Sequence, residues 1–208
     1  APAHEPAVGQ SVVWLSDPEQ VVACFTIEDA LRDEAPRAIT DLKTLGVTPM
    51  LLSGDDPAVV AAVADRVGID EHRGGVTPLE KAEAVAELIE TGSKVGMVGD
   101  GINDAPALAT ATVGFALGSG TDVAMETAPI TLMRSDATLV ASAIQVSRRT
   151  FSKIKQNLFW AFVYNVVSLP LAALGFLSPT LAGAAMALSS VSVVTNSLWL
   201  RRWKPDRA

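Results

Sequence analysis

The chain has 208 residues, 49% of them hydrophobic, and a formal net charge of −7 at pH 7. Half of its 16 basic residues lie from Arg148 onward beside one acidic residue, so residues 1–147 carry 8 basic and 22 acidic side chains, a net charge of −14. An acidic front part with few aromatic residues argues against nucleic-acid binding. The single cysteine, Cys24, excludes an intramolecular disulfide, and its apolar neighbours predict a small buried core residue.

The N-terminal part is expected to hold a linker and a hairpin. Residues 1–10 lack the apolar stretch of a secretory signal peptide, and the chain does not begin with methionine, which suggests a fragment of a longer protein. Two apolar runs, Ser11–Leu15 and Val21–Ile27, predict strands, and the Asp-Pro turn between them predicts a hairpin. We assign residues 1–27 to this region.

From residue 28 onward helices and strands alternate. The predicted helices carry apolar side chains at three- and four-residue spacing, and a glycine ends each of the first two. This alternation predicts a doubly wound parallel α/β sheet over residues 28–147. The predicted helices are Pro36–Leu45, Pro57–Val67, one opening at Thr77, Asn103–Thr110, Thr121–Thr127 and one from Asp136; the predicted strands are Val47–Leu52, Val95–Val98, Val113–Ala116 and Ile130–Met133.

The strand Val95–Val98 runs directly into the sequence GDGINDAPAL. Two carboxylates, Asp100 and Asp104, stand four residues apart around the amide of Asn103. The carboxyl ends of parallel strands are where an open α/β sheet holds its ligand, and a hard oxygen site that meets a phosphate suits Mg²⁺. The alternative for a bare GDG sequence is an acidic strand-to-helix turn with a capping side chain.

A second strand-to-helix turn carries Ser53, Gly54 and Asp55. Its backbone N–H groups and hydroxyl could cradle an anion, although an ordinary capped turn fits these three residues as well. Lys81 lies in the first turn of the helix that precedes the Asp100 strand. Taken alone, Lys81 would be a solvated surface lysine.

The 45 residues from Gln156 to Leu200 contain no Asp, Glu, Lys, Arg or His. A membrane-spanning helix needs about 20 such residues, so we predict two spans, at about 157–174 and 180–200, within a membrane segment 148–208. Turn chemistry at Gly175–Pro179 separates the two spans. Basic residues flank the pair on both outer sides, which predicts two cytoplasmic flanks in a multi-pass protein of the cell membrane. The alternative is a pair of buried helices in a soluble bundle.

Polar side chains inside the two predicted spans are candidate ion ligands. Tyr164 and Asn165 lie in the first span, and Met186 and Ser190 share one face of the second. Small hydroxyl residues otherwise mark close helix packing, and a methionine alone is usually apolar filler. A thioether with neutral oxygen ligands suits a soft monovalent ion better than a divalent ion, which would be expected to have a carboxylate nearby.

The GDGINDAPAL run resembles the hinge motif GDGxNDxP of P-type cation-transporting ATPases. The Tyr-Asn pair and the Met-x-x-Ser-Ser sequence resemble the intramembrane signatures of their copper(I)-exporting, heavy-metal subgroup. The resemblance extends from about Ser11 to Trp203 and covers the C-terminal third of such a pump. It implies a haloacid-dehalogenase-like phosphorylation domain followed by the last two transmembrane helices, and the hairpin would be the end of the nucleotide-domain insertion.

The resemblance also implies site roles, position by position. Asp100 and Asp104 match the Mg²⁺ pair, and Asn103 matches a phosphate-contacting amide. Ser53, Gly54 and Asp55 match the motif TGD, with serine in place of threonine. Lys81 matches the lysine that pairs with phosphoryl oxygens. The implied catalytic residues are thus Ser53, Lys81, Asn103 and Asp104, the implied nucleotide-contacting residues are Ser53, Gly54, Asp55 and Lys81, and the implied copper ligands are Tyr164, Asn165, Met186 and Ser190.

The implied reaction is phosphoryl transfer from MgATP to an aspartate, coupled to export of Cu⁺, with Ag⁺ as an alternative of similar ligand chemistry. The sequence contains no DKTGT motif with the phosphorylated aspartate, no Cys-Pro-Cys copper ligands, no actuator TGE loop and no His-Pro nucleotide motif. We therefore expect the sheet to lack its nucleophile strand and the chain alone to be inactive. Its expected partners are the lipid bilayer and the N-terminal part of the pump, with the actuator, nucleotide domain, DKTGT segment and Cys-Pro-Cys helix.

Two other interpretations remain open. A membrane-anchored phosphatase of the same superfamily would share the sheet, but it leaves the polar residues of the two spans unexplained. A non-catalytic membrane remnant or interaction module would retain the sequence motifs without their chemistry.

Overall fold

The computed structural model describes residues 10–28, 30–118 and 120–205. The predicted linker therefore lies almost wholly outside the described residues. The chain divides into two compact units, one ending at Ala141 and the other beginning at Ser142. We describe each unit by itself.

The first unit begins with an antiparallel hairpin of β1 (Gln10–Ser16) and β2 (Val21–Glu28). The Asp17 carboxylate closes the turn because it accepts hydrogen bonds of 2.8 Å from two backbone N–H groups of the turn. Cys24 stands opposite Trp14 and is only partly buried, so the expectation of a core cysteine was wrong. The reason is that the described hairpin leaves much of its apolar surface open, with Phe25 54% exposed.

The parallel strands form two separate sheets. Strand β3 (Met50–Leu52) pairs with β4 (Glu71–Arg73), and strands β5 (Gly96–Gly99), β6 (Val113–Leu117) and β7 (Ile130–Leu132) pair in that order. The predicted parallel α/β architecture is confirmed. Strand β4 was not predicted, because its three exposed residues, Glu-His-Arg, have no apolar pattern. Strands β3 and β5 do not pair with each other, and no strand among the described residues joins their two sheets.

Short helices of the described first unit pack against these strands and against one another. They are α1 (Ala35–Thr44), α2 (Pro57–Val67), α3 (Pro78–Glu90), α4 (Ala105–Thr110) and α5 (Asp122–Thr127).

Side-chain caps fix the starts of α2, α3 and α5, the last through the Thr121 hydroxyl, which accepts a hydrogen bond from the Ala124 N–H. The Asp56 carboxylate accepts a bond from the Ala58 N–H at the start of α2, and Thr77 and Glu80 form a reciprocal capping box on α3. Gly68 ends α2 with a φ of +78°, a left-handed conformation that favours glycine.

Two predicted elements differ in extent from the structure. The strand predicted over Val47–Leu52 shortens to β3, since Pro49 has no N–H to donate to a neighbouring strand. The helix predicted from Asn103 divides into a 3₁₀ turn, Ile102–Asp104, followed by α4. The tight turn brings Asp104 back toward the end of β5.

Small apolar residues form the core that positions the site. Ala82 and Val85 of α3 are buried against Ala107 of α4. Leu108 of α4 packs with Ala116 of β6, and both are no more than 1% exposed. Helices α3 and α4 are thus held together directly behind the end of β5.

The second unit contains most of α6 (Thr138–Ala173) and all of α7 (Pro179–Leu200). The predicted break between them is confirmed: Gly175 has a φ of +79°, the Phe176 N–H bonds to the Leu171 carbonyl at 2.9 Å, and Ser178 caps α7. By length and composition, α7 could cross a membrane, and no other helix among the described residues meets the same criterion. The predicted first span, 157–174, falls in the second half of α6, so the pair of spans stays a prediction.

Candidate functional site

The end of β5 is shaped by one close contact between a glycine and a carboxylate. Gly99 is buried, and a Cβ atom at its position would lie 2.6 Å from the Cβ of Asp104. No real side chain tolerates that distance, so only glycine lets Asp104 fold back against the strand end. Gly101 is different, since a Cβ there would meet nothing closer than 3.9 Å.

Asp104 forms an ion pair with Lys81 of α3. The Lys81 Nζ lies 2.9 Å from Asp104 Oδ1, and the two side chains are 13% and 15% exposed. The packing of α3 on α4 brings the two residues together although 23 positions separate them. The ion pair thus joins Lys81, which by sequence alone would be a solvated surface lysine, to the predicted magnesium motif.

Asp100 is held by its backbone while its carboxylate stays open. Its N–H lies 3.4 Å from Asp104 Oδ2, and its carbonyl accepts a 2.8 Å bond from the Thr121 N–H. The Asp100 carboxylate is exposed and has no hydrogen bond or ion pair within the described residues, and the same holds for the Asn103 amide. A fixed backbone with free carboxylate oxygens is an arrangement that can accept a hard cation.

Two residues of this site were missed by sequence reasoning. Besides Thr121, Gly120 touches the Asp100 backbone, because a Cβ at Gly120 would lie 2.9 Å from the Asp100 carbonyl oxygen. The only indication of these two residues in the sequence was the Gly-rich stretch after β6. It could not be assigned to Asp100 without knowing that β6 lies beside β5.

Ser53 and Asp55 form a separate turn at the end of β3. The Ser53 Oγ donates to Asp55 Oδ2 at 2.7 Å, and the Asp55 N–H lies 3.3 Å from the same hydroxyl. The loop after β4 packs on this turn: the Gly75 N–H bonds to the Asp55 carbonyl at 2.7 Å, and a Cβ at Gly74 would lie 2.5 Å from the Pro57 Cα. Gly54 is exposed at the centre of the turn.

The predicted catalytic, nucleotide-contacting and magnesium-binding residues therefore fall into two groups. Lys81, Asp100 and Asp104 are brought together, and Asn103 adjoins them in the 3₁₀ turn. The turn of Ser53 and Asp55 is not joined to them by any hydrogen bond or ion pair within the described residues. Across those residues no group of three or more His, Cys, Asp or Glu side chains could hold a metal. Two carboxylates still fit Mg²⁺, which keeps several waters and takes other oxygens from phosphate.

The capping box at the start of α3 lowers the pKa of the Glu80 carboxyl group, which adjoins Lys81 in the sequence. Hydrogen bonds from the Thr77 backbone and hydroxyl hold the pKa of Glu80 below its ordinary value. The Thr77 N–H and Oγ1 both lie 2.7 Å from Glu80 Oε2. Elsewhere on the same unit, the hydrogen bond and charge of Lys43, 2.7 Å away, lower the pKa of the exposed Asp70.

The predicted copper residues lie on two helices of the second unit. The Asn165 Nδ2 donates to the Ala161 carbonyl at 2.9 Å, one turn earlier on α6, and its Oδ1 stays open. The Ser190 Oγ donates to the Met186 carbonyl at 3.2 Å on α7, and Met186 is 73% exposed. No hydrogen bond within the described residues joins the Tyr164–Asn165 pair to the Met186–Ser190 pair.

Comparison with known proteins identifies relatives of both units. Residues 2–112 match the haloacid dehalogenase-like hydrolases. The chain is 50% identical over 196 residues to a probable copper-importing P-type ATPase A of Enterococcus hirae and 48% identical over 198 residues to a copper-exporting P-type ATPase of Bacillus subtilis. These matches cover 93% and 95% of the chain but only 27% and 25% of the relatives, so the chain spans about a quarter of their length.

Solved structures agree with the sequence relatives. The crystal structure of a zinc-transporting PIB-type ATPase in the E2.Pi state superposes with a TM-score of 0.80 at 37% identity, over 93% of this chain and 32% of that one. The chain is similar over most of its length to part of these P-type ATPases, and the match over residues 2–112 shows that it belongs to the haloacid dehalogenase-like hydrolase family.

Proposed function

We propose that this chain supplies the magnesium and phosphate site and the last two membrane helices of an ATP-driven Cu⁺ export pump. The observation that carries the catalytic half is the cluster at the end of β5, where Asp104, paired with Lys81, also lies 3.4 Å from the Asp100 backbone N–H. An ammonium and two carboxylates at the carboxyl end of a parallel strand suit a magnesium-bound phosphoryl group. P-type ATPases transfer such a group from ATP.

Each residue has a distinct role in this proposal. Asp100 and Asp104 would hold Mg²⁺, which when bound would neutralise charge on the transferred phosphoryl group. Lys81 uses one of its three N–H donors on Asp104 and has two left for phosphoryl oxygens. The Asn103 amide would add a neutral contact, and the Ser53 hydroxyl, with Gly54 and Asp55 around it, would meet the phosphoryl group from the turn at the end of β3.

The phosphorylated aspartate would come from a DKTGT segment outside these 208 residues. The division of the described parallel strands into two sheets supports this, because a further parallel strand could pair with both β3 and β5 and join the sheets. The actuator, the nucleotide domain and the Cys-Pro-Cys helix would likewise come from the longer pump. The chain by itself would then bind Mg²⁺ and phosphate weakly and catalyse nothing.

The cargo proposed is Cu⁺, with Ag⁺ as a chemically similar alternative, and the proposed ligands are Tyr164, Asn165, Met186 and Ser190. The zinc-transporting structural relative raises the question of a divalent cargo. The absence of any carboxylate from Gln156 to Leu200 favours a soft monovalent ion, as does the higher identity to the copper ATPases.

The two helices would lie in the cell membrane, with both flanks in the cytoplasm. Basic residues on the outer flanks of the apolar run, and none in the turn between the helices, support this orientation. The names of both relatives mention copper, but they differ in the direction of transport: one is named as an importer and the other as an exporter. Export is the direction implied by the intramembrane motifs.

The test uses the native protein that contains this chain. Its intact mass and N-terminal sequence are measured first, and then Cu⁺-dependent ATP hydrolysis and Cu⁺ movement are measured in proteoliposomes. We expect an upstream DKTGT segment, hydrolysis stimulated by Cu⁺ and not by Zn²⁺, and loss of hydrolysis in D100N and D104N. The matched control is D70N, an exposed aspartate paired only with Lys43.

Three results would contradict the proposal. Stimulation by Zn²⁺ instead of Cu⁺ would refute the cargo, and Cu⁺ movement in the opposite direction would refute export. A native protein that begins near Ala1 and hydrolyses no ATP would favour the non-catalytic module, whereas hydrolysis of phosphate esters without ion movement would favour the membrane-anchored phosphatase.

A further inference from the structure

We propose that the middle of α6 and the C-terminal end of α7, with the residues just after it, form a binding pocket for the headgroup of an anionic phospholipid, with Arg149, Lys153 and Arg202 as its cationic ligands. This inference rests on the proposed function in one respect, the placement of α6 and α7 in a membrane. It concerns a different part of the molecule from the phosphate site and from the proposed copper ligands.

The pocket lies entirely within the second unit and has a volume of about 300 Å³. Small-molecule sites begin at about this size. Three cations and two indole rings form most of its wall. The lining residues are Arg149, Lys153, Trp199, Leu200, Arg202 and Trp203.

Lys153 is fixed in place by a network between the two helices. Its Nζ donates to Asn196 Oδ1 at 2.6 Å and to Gln156 Oε1 at 3.2 Å. The Asn196 amide in turn donates to Asn157 Oδ1 at 2.8 Å, and the Asn157 amide donates to Ser197 Oγ at 2.8 Å. This network holds Lys153 between the two helices at one side of the pocket.

The Lys153 ammonium has one N–H donor left after these hydrogen bonds. Two of its three N–H donors are used, and the Lys153 Nζ also lies 5.9 Å from the centre of the Trp199 ring, within range of a cation–π contact. One donor remains for a ligand oxygen.

The two arginines of the pocket have no counter-charge in this part of the chain. Arg149 and Arg202 are exposed and form no hydrogen bond or ion pair within the described residues. The sequence has no Asp or Glu between Asp136 and Asp206. A ligand that fills the pocket must therefore bring its own negative charge.

The position of the pocket favours a lipid over a soluble anion. It adjoins Leu200, the last residue of the charge-free run, and Trp199 and Trp203 are the side-chain type that collects at membrane interfaces. Basic pockets between membrane helices on the cytoplasmic side bind anionic headgroups. Trp199 is 63% exposed and would lie beside the acyl chains while the arginines meet the phosphate.

Native mass spectrometry of the full chain tests the proposal. The chain is released from nanodiscs that contain equal amounts of phosphatidylglycerol and phosphatidylcholine, and the retained lipids are counted. We expect one preferentially retained phosphatidylglycerol. We expect its preference to fall about fivefold for each arginine removed, and so roughly 25-fold in R149Q/R202Q.

The matched control is R201Q/K204Q, which removes the same charge from neighbouring positions that do not line the pocket. Retention of the preference in this control supports a specific pocket, whereas an equal loss in both double variants would overturn it. Displacement of the lipid by excess inorganic phosphate would show a site for free phosphate and would also overturn the lipid proposal.

Alkaline carbonate extraction separates the two proposals. A chain that stays in the membrane but shows no preference for phosphatidylglycerol refutes the pocket alone. A chain that carbonate releases refutes the membrane placement in the proposed function, and the lipid pocket with it.

Discussion

Lys81 and Asp104 are 23 positions apart in the sequence, yet their side chains form a 2.9 Å ion pair that is only 13% and 15% exposed. The pair connects α3 to the turn at the end of β5. It holds one carboxylate of the proposed magnesium site in place and positions an ammonium beside it.

Removing either partner of this ion pair should destabilise the packing of α3 on α4. We expect K81M and D104N each to cost about 1–3 kcal/mol, because each leaves a largely buried polar partner without its bond. The measurement is hydrogen exchange of α3 and α4 amides in the full chain. In a double-mutant cycle, K81M/D104N should cost less than the sum of the two single changes; strict additivity would mean that the two residues do not interact.

Two neighbouring glycines should respond differently to the same substitution. G99A places a Cβ 2.6 Å from the Asp104 Cβ, so the strand end must shift, at a cost of about 1–3 kcal/mol. G101A is the matched control, because its new Cβ would meet nothing closer than 3.9 Å. Thermal unfolding and Mn²⁺ binding are measured for both variants, and we expect G99A to be impaired in both measurements more than G101A. Equal behaviour would show that Asp104 does not depend on the close approach at Gly99.

The capping box of α3 should make stability sensitive to acid. The Thr77 hydrogen bonds lower the pKa of Glu80 in the folded state, so its stabilising effect is complete above the ordinary glutamate pKa and is lost as pH falls through the lowered pKa. T77A should cost about 1 kcal/mol at neutral pH and weaken this acid dependence. T77S, which keeps the hydroxyl, is the control. Denaturant unfolding as a function of pH provides the measurement, and an unchanged acid dependence in T77A would contradict the assignment.

The isolated chain should form no phosphoenzyme. No DKTGT sequence is present, so no phosphoryl-accepting aspartate of that motif is available to the cluster of Lys81, Asp100 and Asp104. Incubation with γ-labelled ATP and Mg²⁺, followed by acid quench, should leave the chain unlabelled. Acid-stable, hydroxylamine-sensitive label on the chain would show that another residue serves as nucleophile.

Soft-ion binding should depend on one methionine of α7. M186L should weaken Ag⁺ binding to the reconstituted chain, because it removes the only thioether among the proposed ligands. M133L is the control, since Met133 is 87% exposed in the first unit and is not a proposed ligand. Isothermal titration with Ag⁺ and Zn²⁺ measures both. Equal losses in the two variants, or preferential Zn²⁺ binding, would argue against the copper assignment.

The sequence by itself determined the order and type of most elements and the position of the GDGINDAPAL run at the end of a strand. Both depend on local chemistry: apolar spacing defined the helices, Gly46 and Gly68 ended two of them at positive φ, and the run around Asp100 joined an apolar strand to a tight turn. The break at Gly175 could also be predicted, because a left-handed glycine and a Ser-Pro start are encoded within a few residues.

Only the tertiary structure decided which of these residues meet. Whether Lys81 is a surface lysine or the partner of Asp104 depends on how α3 packs on α4, and the contact of Gly120 and Thr121 with the Asp100 backbone depends on the pairing of β6 with β5. The exposed strand β4 and the proposed lipid pocket likewise depend on tertiary packing. Their residues have no periodic pattern of their own, and they acquire a role only from neighbours that are distant in the sequence.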